Sequence, residues 1–154
     1  EKYQAWSTYQ TEEKAVVVFD SMWHSTEAMA REITDAFIRE GVPAKLIDVK
    51  HTHISDIMLE LCDARYVACG SPTLNSNMMP TMASFLTYMR GLSPNIAFGS
   101  YGWAPLGPKQ VFTEMENMKF QMASPVIAQQ WIPSEENLAA LQETVVKAIE
   151  DARA

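Results

Sequence analysis

The sequence predicts an α/β fold in which a doubly wound parallel sheet of five strands carries helices on both faces. Five short apolar runs alternate along the 154 residues with five stretches in which apolar residues recur every three or four positions. The short runs are continuously apolar, which indicates strands that are covered on both sheet faces. Strands that alternate with helices in this way are joined by crossover connections and therefore pair in parallel.

The elements follow one another in a regular order. The predicted strands cover residues 15–19, 44–49, 66–69, 96–99 and 126–131. The buried faces of the predicted helices are Met29, Ile33, Ala36 and Phe37; Ile54, Ile57, Met58 and Leu61; Met82, Phe85, Leu86 and Met89; Val111, Phe112, Met115 and Met118; and Leu138, Leu141, Val145 and Ile149. Gly41 ends the first helix and Gly91 follows the third, since glycine readily adopts the conformation that stops a helix.

Composition bounds the class of protein. With 47% hydrophobic residues the chain can form the core of one domain, and its net charge of −7 argues against nucleic acid as a partner. The sequence holds no apolar stretch of about 18 residues, so we expect no membrane span, and no signal peptide is recognisable. Cys62 and Cys69 lack Cys-x-x-Cys spacing, so we expect reduced, buried thiols in a cytoplasmic protein.

The chain divides into a short polar segment and one domain. Residues 1–14 are mostly polar, with Tyr3, Trp6 and Tyr9 among them. We interpret residues 1–14 as an inter-domain connector and residues 15–154 as the folded domain. Because the chain starts at Glu1 without an initiator methionine, we expect it to be a piece of a longer protein.

The turn after the first strand has the composition of an anion site. A hydroxyl-rich turn leads into a helix, whose first N–H groups have no partner within the helix. The turn has no Lys or Arg, no glycine-rich dinucleotide motif and no Gly-Lys-Ser/Thr motif. A phosphate held by hydroxyls and amides favours flavin mononucleotide (FMN), and the alternative is an ordinary capped helix. The predicted cofactor contacts in this turn are Ser21, Met22, Trp23, His24, Ser25 and Thr26.

Two further loops leave the carboxyl ends of predicted strands, the edge at which doubly wound sheets bind ligands. The loop after the third strand has short, uncharged side chains that suit the rim of a neutral heterocycle. The loop after the fourth strand has two aromatics that could cover a planar ring. The alternative for the first of these loops is an ordinary turn formed by Asn and Pro residues, and the alternative for the second is a pair of half-buried core aromatics. The predicted cofactor contacts are Ser71, Pro72, Thr73, Leu74, Asn75, Ser76 and Asn77 in the first of these loops, and Ser100, Tyr101, Gly102, Trp103 and Ala104 in the second.

Together the three loops resemble one family. The runs Phe-Asp-Ser-Met-Trp-His-Ser-Thr (residues 19–26), Gly-Ser-Pro-Thr-Leu-Asn (residues 70–75) and Ala-Phe-Gly-Ser-Tyr-Gly-Trp (residues 97–103) are similar to the C-terminal, flavodoxin-like domain of flavodiiron proteins. These are also called A-type flavoproteins and include the rubredoxin:oxygen oxidoreductases. The resemblance covers about residues 5–153. Each motif alone is weak, but three in the same order make a specific signal.

This resemblance implies a flavodoxin-like fold with strand order 2-1-3-4-5 and non-covalently bound FMN. It implies an electron-transfer domain that relays electrons from rubredoxin or a similar donor to a diiron site. That site would lie outside this chain, on a metallo-β-lactamase-like domain, and would reduce dioxygen or nitric oxide. The family's head-to-tail dimers place the flavin of one subunit against the diiron site of its mate. The isolated chain would then be a redox carrier.

The chain departs from the family pattern at three places. Ala104, Pro105 and Leu106 stand where glycines are usual, and Asn77 stands where glycine is common. The segment 91–96 is several residues shorter than usual, which predicts a short fourth strand. These departures concern contacts to the flavin ring and leave the hydroxyl-rich turn intact.

The residues alone leave other functions open. A free-standing flavodoxin and a flavin-dependent quinone or azo reductase would share the hydroxyl-rich turn. A receiver-type signalling domain needs an acidic cluster after the first strand and a Lys after the fifth, whereas Asp20 stands alone and the fifth strand ends in Gln-Gln-Trp. His51 and His53 do not form the metallo-β-lactamase ligand pattern, so we expect a surface helix start there and no metal.

Overall fold

The continuously apolar run after the polar start becomes a central strand with fully buried side chains from Ala15 to Val18. The structure is a computed structural model that describes residues 11–89 and 94–154. The elements in chain order are β1 (Glu12–Phe19), α1 (Ser25–Arg39), β2 (Ala44–Asp48), α2 (Ile54–Leu61), β3 (Ala64–Gly70), α3 (Pro80–Tyr88), β4 (Pro94–Tyr101), α4 (Leu106–Asn117), β5 (Gln121–Met122), β6 (Ile127–Gln130) and α5 (Glu135–Arg153).

The strands form a parallel sheet in the order β2-β1-β3-β4-β5, with β6 also paired to β4. This confirms the doubly wound fold and the order 2-1-3-4-5. The predicted fifth strand lies in two pieces: β5 pairs with the start of β4, and β6 pairs with its end. Pro125 stands between them and has no N–H to donate, which accounts for the break.

β4 and β1 extend beyond their predicted bounds. β4 has eight residues, so the expected shortening of the fourth strand is wrong. β1 begins at Glu12, and a register irregularity follows before Ala15. The predicted connector 1–14 therefore overlaps β1 at residues 12–14. The polar residues at the start of this strand do not form the apolar run by which a buried strand is recognised. Residues 1–10 lie outside the described residues.

Alternate side chains of β1 point to opposite faces of the sheet, and each face has its own core. Val17 and Phe19 pack in one cluster with apolar residues of α1 and α5. Val16 and Val18 pack in the other with residues of α2, α3 and α4. The helices thus divide two and three between the faces, as the doubly wound fold requires. No helix among the described residues is long and apolar enough to cross a membrane.

The two cysteines occupy different environments. Cys69 is fully buried on β3, and burial raises the pKa of its thiol to about 12, so it stays protonated. Cys62 is exposed, which corrects the prediction of two buried thiols. It follows the last turn of α2, and its thiol faces the Met58 carbonyl oxygen at 3.2 Å.

Glu60 is expected to make stability depend on pH in the acid range. Its carboxylate lies 2.7 Å from the Lys45 Nζ and 2.9 Å from the Lys14 Nζ. Hydrogen bonds from Lys45 and then Lys14 hold the pKa of Glu60 below its ordinary value of 4.5, against partial desolvation. The folded state therefore takes up this proton less readily than the unfolded chain. The stabilisation is present above pH 4.5 and is lost as the pH falls through the lower, folded-state pKa.

Glu60→Gln should accordingly lower the free energy of unfolding by about 1 kcal/mol at neutral pH and by less in acid. Urea unfolding between neutral pH and pH 3 measures the difference. Glu143→Gln, at an exposed position of α5, is the matched control and should leave the pH profile unchanged. A constant gap between wild type and Glu60→Gln at every pH would contradict the assignment.

Candidate functional site

The carboxyl ends of β1, β3 and β4 lie side by side, because Phe19 pairs with Gly70 and Gly70 pairs with Phe98. Three segments leave this edge. We call residues 20–24 the first loop, residues 71–79 the second loop and residues 102–105 the third loop. All the predicted site residues lie in these segments, in the last two residues of β4, or at the start of α1.

The first loop presents an open helix start. His24 is the N-cap residue of α1, with φ 65°, and its side chain makes no cap hydrogen bond. Instead its Nδ1 lies 2.8 Å from the carboxylate of Glu27, which Arg31 also contacts. The Ser21 hydroxyl oxygen is buried and has no hydrogen-bond partner among the described residues. A helix start without a side-chain cap, next to an unpaired buried hydroxyl, is an arrangement that an anion can complete.

The Thr26 hydroxyl is hydrogen-bonded to another segment of the protein. Thr26 is completely buried, and its Oγ1 lies 2.8 Å from the Ser100 Oγ and accepts the Ser100 N–H at 3.2 Å. These bonds join the start of α1 to the end of β4. The Thr26 hydroxyl therefore joins two of the segments that form the site, and its contact with a phosphate stays a prediction.

Sequence reasoning missed a basic side chain beside the first loop. Lys50, just beyond β2, donates to the Ser21 carbonyl oxygen, and its Nζ lies 3.1 Å from the carboxylate of Asp20. Asp20 is completely buried and also accepts a hydrogen bond from Thr81 at the start of α3. The turn itself contains no Lys or Arg, as the sequence indicates, but a Lys from another strand end reaches it. No local signal marks this approach, because 29 positions separate Lys50 from Ser21.

The second loop is a tight hairpin anchored at both ends. Leu74 and Asn77 exchange two backbone hydrogen bonds, of 2.8 and 2.9 Å, around Asn75 and Ser76. Both central residues have positive φ, 47° and 63°, as a two-residue hairpin of the I′ type requires. Asn75, Ser76 and Asn77 are exposed, whereas the base of the loop, Ser71 and Pro72, is buried.

We predict that Ser76→Gly stabilises the chain by roughly 1 kcal/mol, because glycine relieves the left-handed strain of a non-glycine residue. The matched control is Asn77→Gly. Asn77 does not have a positive φ, so glycine at this position relieves no strain. It only adds backbone freedom to the unfolded chain. Thermal and urea unfolding of both variants provide the comparison. A gain in Asn77→Gly that equals or exceeds that of Ser76→Gly would contradict the turn geometry.

The third loop exposes aromatic surface at the same edge. Trp103 is 91% exposed and Trp23, in the first loop, is 84% exposed. Trp103 packs edge-on against Trp131, with ring centroids 5.5 Å apart and an angle of 71°. Trp131, which sequence reasoning assigned only to the fifth strand, follows β6, and its N–H donates to the Tyr101 carbonyl oxygen at 2.8 Å. The alternative of half-buried core aromatics in the third loop fits Tyr101, which is half-buried, and does not fit Trp103, whose ring lies outside the core.

Two glycines allow the second loop to lie against β4 and α4. A Cβ at Gly99 would lie 1.9 Å from the Ser71 carbonyl oxygen, and one at Gly107 would lie 2.5 Å from the Pro72 carbonyl oxygen. The Thr73 hydroxyl completes this contact by accepting the Gly107 N–H at 2.9 Å and donating to the Ala104 carbonyl oxygen at 3.3 Å. In the sequence Gly99 is only the last residue of the predicted fourth strand, and no pattern indicates its close approach to Ser71.

The arrangement fits FMN in two respects. The first loop offers unpaired donors for a phosphate, and the exposed indoles of Trp23 and Trp103 offer planar surfaces for an aromatic ring system. The remaining predicted contacts, Met22, Leu74, Tyr101, Gly102 and Ala104, are half-buried at the same edge. The residues present therefore match the two ends of such a ligand.

The histidine pair after β2 forms a helix start. His53 is the N-cap residue of α2, and its ring accepts the Ser55 N–H at 3.3 Å. His51 is exposed, with its Nδ1 2.8 Å from the Asp48 carboxylate. Within residues 11–89 and 94–154, no group of three or more His, Cys, Asp or Glu side chains is placed to hold a metal ion.

Comparison with known proteins gives consistent matches. The flavodoxin family model matches residues 17–144. Rubredoxin-oxygen oxidoreductase of Megalodesulfovibrio gigas is 36% identical over 97% of this chain and 39% of its own length. Nitric oxide reductase of Moorella thermoacetica is 35% identical over 90% of this chain and 36% of its own length. The chain thus spans about two fifths of the length of these curated relatives.

Solved structures agree with these relatives. Rubredoxin oxygen:oxidoreductase from Desulfovibrio gigas superposes with a TM-score of 0.93 at 33% identity, over 99% of this chain and 39% of that one. The flavodiiron protein from Giardia intestinalis gives 0.89 at 29% identity, over 99% and 40%. A flavodoxin from the domain Archaea gives 0.82 at 25% identity, over 92% and 99%. The resemblance to flavodiiron proteins, drawn from three short motifs, is confirmed.

Proposed function

This chain belongs to the flavodoxin family, and from that premise we propose that it is the FMN-binding electron-transfer domain of a flavodiiron oxidoreductase. It accepts electrons from a donor protein such as rubredoxin and passes them to a diiron site outside the chain, on the parent protein or on its dimer mate. That site reduces dioxygen or nitric oxide.

One observation carries the FMN assignment. The Ser21 hydroxyl is buried, has no hydrogen-bond partner among the described residues, and lies beside a helix start that has no side-chain cap. Buried polar groups in folded proteins are almost always paired, so an unpaired hydroxyl at a helix N-terminus supports an anionic ligand. The hydroxyls of Ser21 and Ser25 and the first N–H groups of α1 would hold the phosphate.

FMN, when bound, supplies reversible one-electron and two-electron transfer, which no side chain of the described residues offers. The protein then has to hold the ring at the carboxyl edge and limit its contact with water. The exposed faces of Trp23 and Trp103 lie at this edge, and the short polar residues 75–77 border it. The ring would thus lie where a second protein can approach it.

The parent activity is supported by the relatives. Proteins named for rubredoxin-oxygen and nitric oxide reduction align with 90% or more of this chain at 35–36% identity. A free-standing flavodoxin is the second candidate, because the chain covers 99% of the archaeal flavodoxin. The complete reading frame decides between them: a metallo-β-lactamase-like segment with a diiron ligand set upstream of residue 1 supports the first, and its absence supports the second.

Titration of the purified chain with FMN, riboflavin and FAD tests the cofactor. We expect one FMN per chain, and an affinity for FMN at least about 30-fold higher than for riboflavin, since the phosphate adds two or more charge-assisted hydrogen bonds. Bound flavin should fluoresce weakly because stacked indoles quench it. Equal affinity for FMN and riboflavin, or no flavin binding, would contradict the assignment of FMN as the cofactor.

A further inference from the structure

A buried negative charge lies immediately before the first loop. Asp20 is completely buried, and its neighbour Ser21 begins the turn that would hold a phosphate. An uncompensated carboxylate on the residue next to the turn would repel a phosphate dianion through a medium of low dielectric constant. A turn that selects a phosphorylated ligand therefore needs this carboxylate to be neutralised.

Lys50 is positioned to neutralise the Asp20 carboxylate. Its Nζ is 3.1 Å from the Asp20 Oδ1, an ion pair without hydrogen-bond geometry, and it donates to the Ser21 carbonyl oxygen. The backbone brings Lys50 there, because the N–H of Val49 donates to the Phe19 carbonyl oxygen at 3.0 Å, and Asp48 caps the Lys50 N–H at 2.8 Å. The contact is thus built by the strand pair β1–β2.

The same contact orients the turn. The C=O and N–H groups of a trans peptide point in opposite directions. When Lys50 holds the Ser21 carbonyl, the N–H of Met22 in the same peptide points away from Lys50. Lys50 therefore fixes one donor of the loop while its own charge stays paired with Asp20.

We propose that Lys50 is a specificity-determining residue that makes the first loop selective for a phosphorylated flavin by neutralising buried Asp20 and positioning the Ser21 peptide. It acts on the phosphate through Asp20 and Ser21 and is not a phosphate ligand. This inference rests on the proposed FMN function.

The test is the ratio of riboflavin to FMN dissociation constants, measured by fluorescence titration at pH 8, where the phosphate is a dianion. Lys50→Met should reduce this ratio on the order of tenfold, mostly through weaker FMN binding. The double variant Asp20→Asn, Lys50→Met removes both charges and should return the ratio to within about threefold of wild type. Lys147→Met, at an exposed position of α5, changes the net charge equally and should leave the ratio unchanged.

The outcomes distinguish failure of the proposed FMN function from failure of the proposed role of Lys50. If wild type does not prefer FMN, the proposed function fails. If wild type prefers FMN and Lys50→Met keeps the full ratio, only the role of Lys50 fails. A ratio lost in the single variant and not regained in the double variant would mean that Lys50 does not act by neutralising Asp20, which also overturns the proposal. Should Lys50→Met not fold, the double variant alone decides, since a tenfold lower ratio there contradicts charge compensation.

Discussion

Replacing Gly99 with alanine is expected to lower the free energy of unfolding by about 3 kcal/mol or more and to abolish flavin binding. A Cβ at Gly99 would lie 1.9 Å from the carbonyl oxygen of Ser71 and 2.9 Å from the Pro108 ring. The first of these is backbone, which cannot turn aside as a flexible side chain can. Relief of the clash requires the second loop to move away from β4.

Such a movement would break the bonds that set the loop. The N–H of Ser71 donates to the Phe98 carbonyl oxygen at 3.1 Å, and that of Thr73 donates to the Ser100 carbonyl oxygen at 3.0 Å. Both carbonyls belong to β4, on either side of Gly99. Loss of this pairing would displace the hairpin tip from the edge at which it borders the predicted flavin ring.

Gly102→Ala is the matched control for Gly99→Ala. A Cβ at Gly102 would lie 3.3 Å from the Trp131 ring, a side chain that is 54% exposed and can shift by a few tenths of an ångström. We expect a loss of stability below about 1 kcal/mol and retained FMN binding. Urea unfolding and flavin titration of both variants measure the contrast. If Gly99→Ala were as mild as Gly102→Ala, the close packing of the second loop on β4 would be wrong.

The sequence predicts the sheet and the three loops well because their signals are local. Continuous apolar runs mark β1 and β3, and helical spacing marks α1 from Met29 to Phe37. Each loop follows directly from the end of such a run, so its position at the carboxyl edge follows from the parallel topology. The open start of α1 is a local property too, since every helix leaves its first N–H groups without internal partners.

Other features depend on contacts between distant segments and leave no local signal. Lys50 reaches the first loop from just beyond β2, Thr26 bonds to Ser100 on β4, and Trp131 packs on Trp103 from beyond β6. Composition alone cannot distinguish a hydroxyl free for a ligand from one bound to another strand. The division of the fifth strand was missed for a different reason, because a two-residue strand such as β5 is too short to show periodicity.

Replacing both Ser21 and Ser25 with alanine is expected to weaken FMN binding by about 2–4 kcal/mol, roughly 30-fold to 1000-fold, while riboflavin binding stays nearly unchanged. The two hydroxyls lie in the first loop and at the first helical residue of α1. Each would donate to a charged phosphate oxygen, a bond that contributes more than one between neutral groups. Riboflavin has no phosphate and so does not report their loss.

Thr26→Ala is the informative comparison for the serine pair. Its hydroxyl is bound to Ser100, so its removal leaves the buried Ser100 N–H without that acceptor and should lower stability by about 1–3 kcal/mol. Both flavins should then bind more weakly in the same proportion.

Ser21→Ala by itself provides the sharpest distinction between a ligand-binding and a structural hydroxyl. Its Oγ is buried and has no hydrogen-bond partner among residues 11–89 and 94–154, so deletion should leave the stability of the chain without flavin unchanged or raise it by up to about 1 kcal/mol. The same deletion should weaken FMN binding, so stability and affinity change in opposite directions, which a structural hydroxyl cannot produce. Unfolding of the flavin-free chain and FMN titration of the same preparation measure the two quantities. A parallel loss of stability and of affinity for both flavins would show that Ser21 supports the turn and does not bind the phosphate.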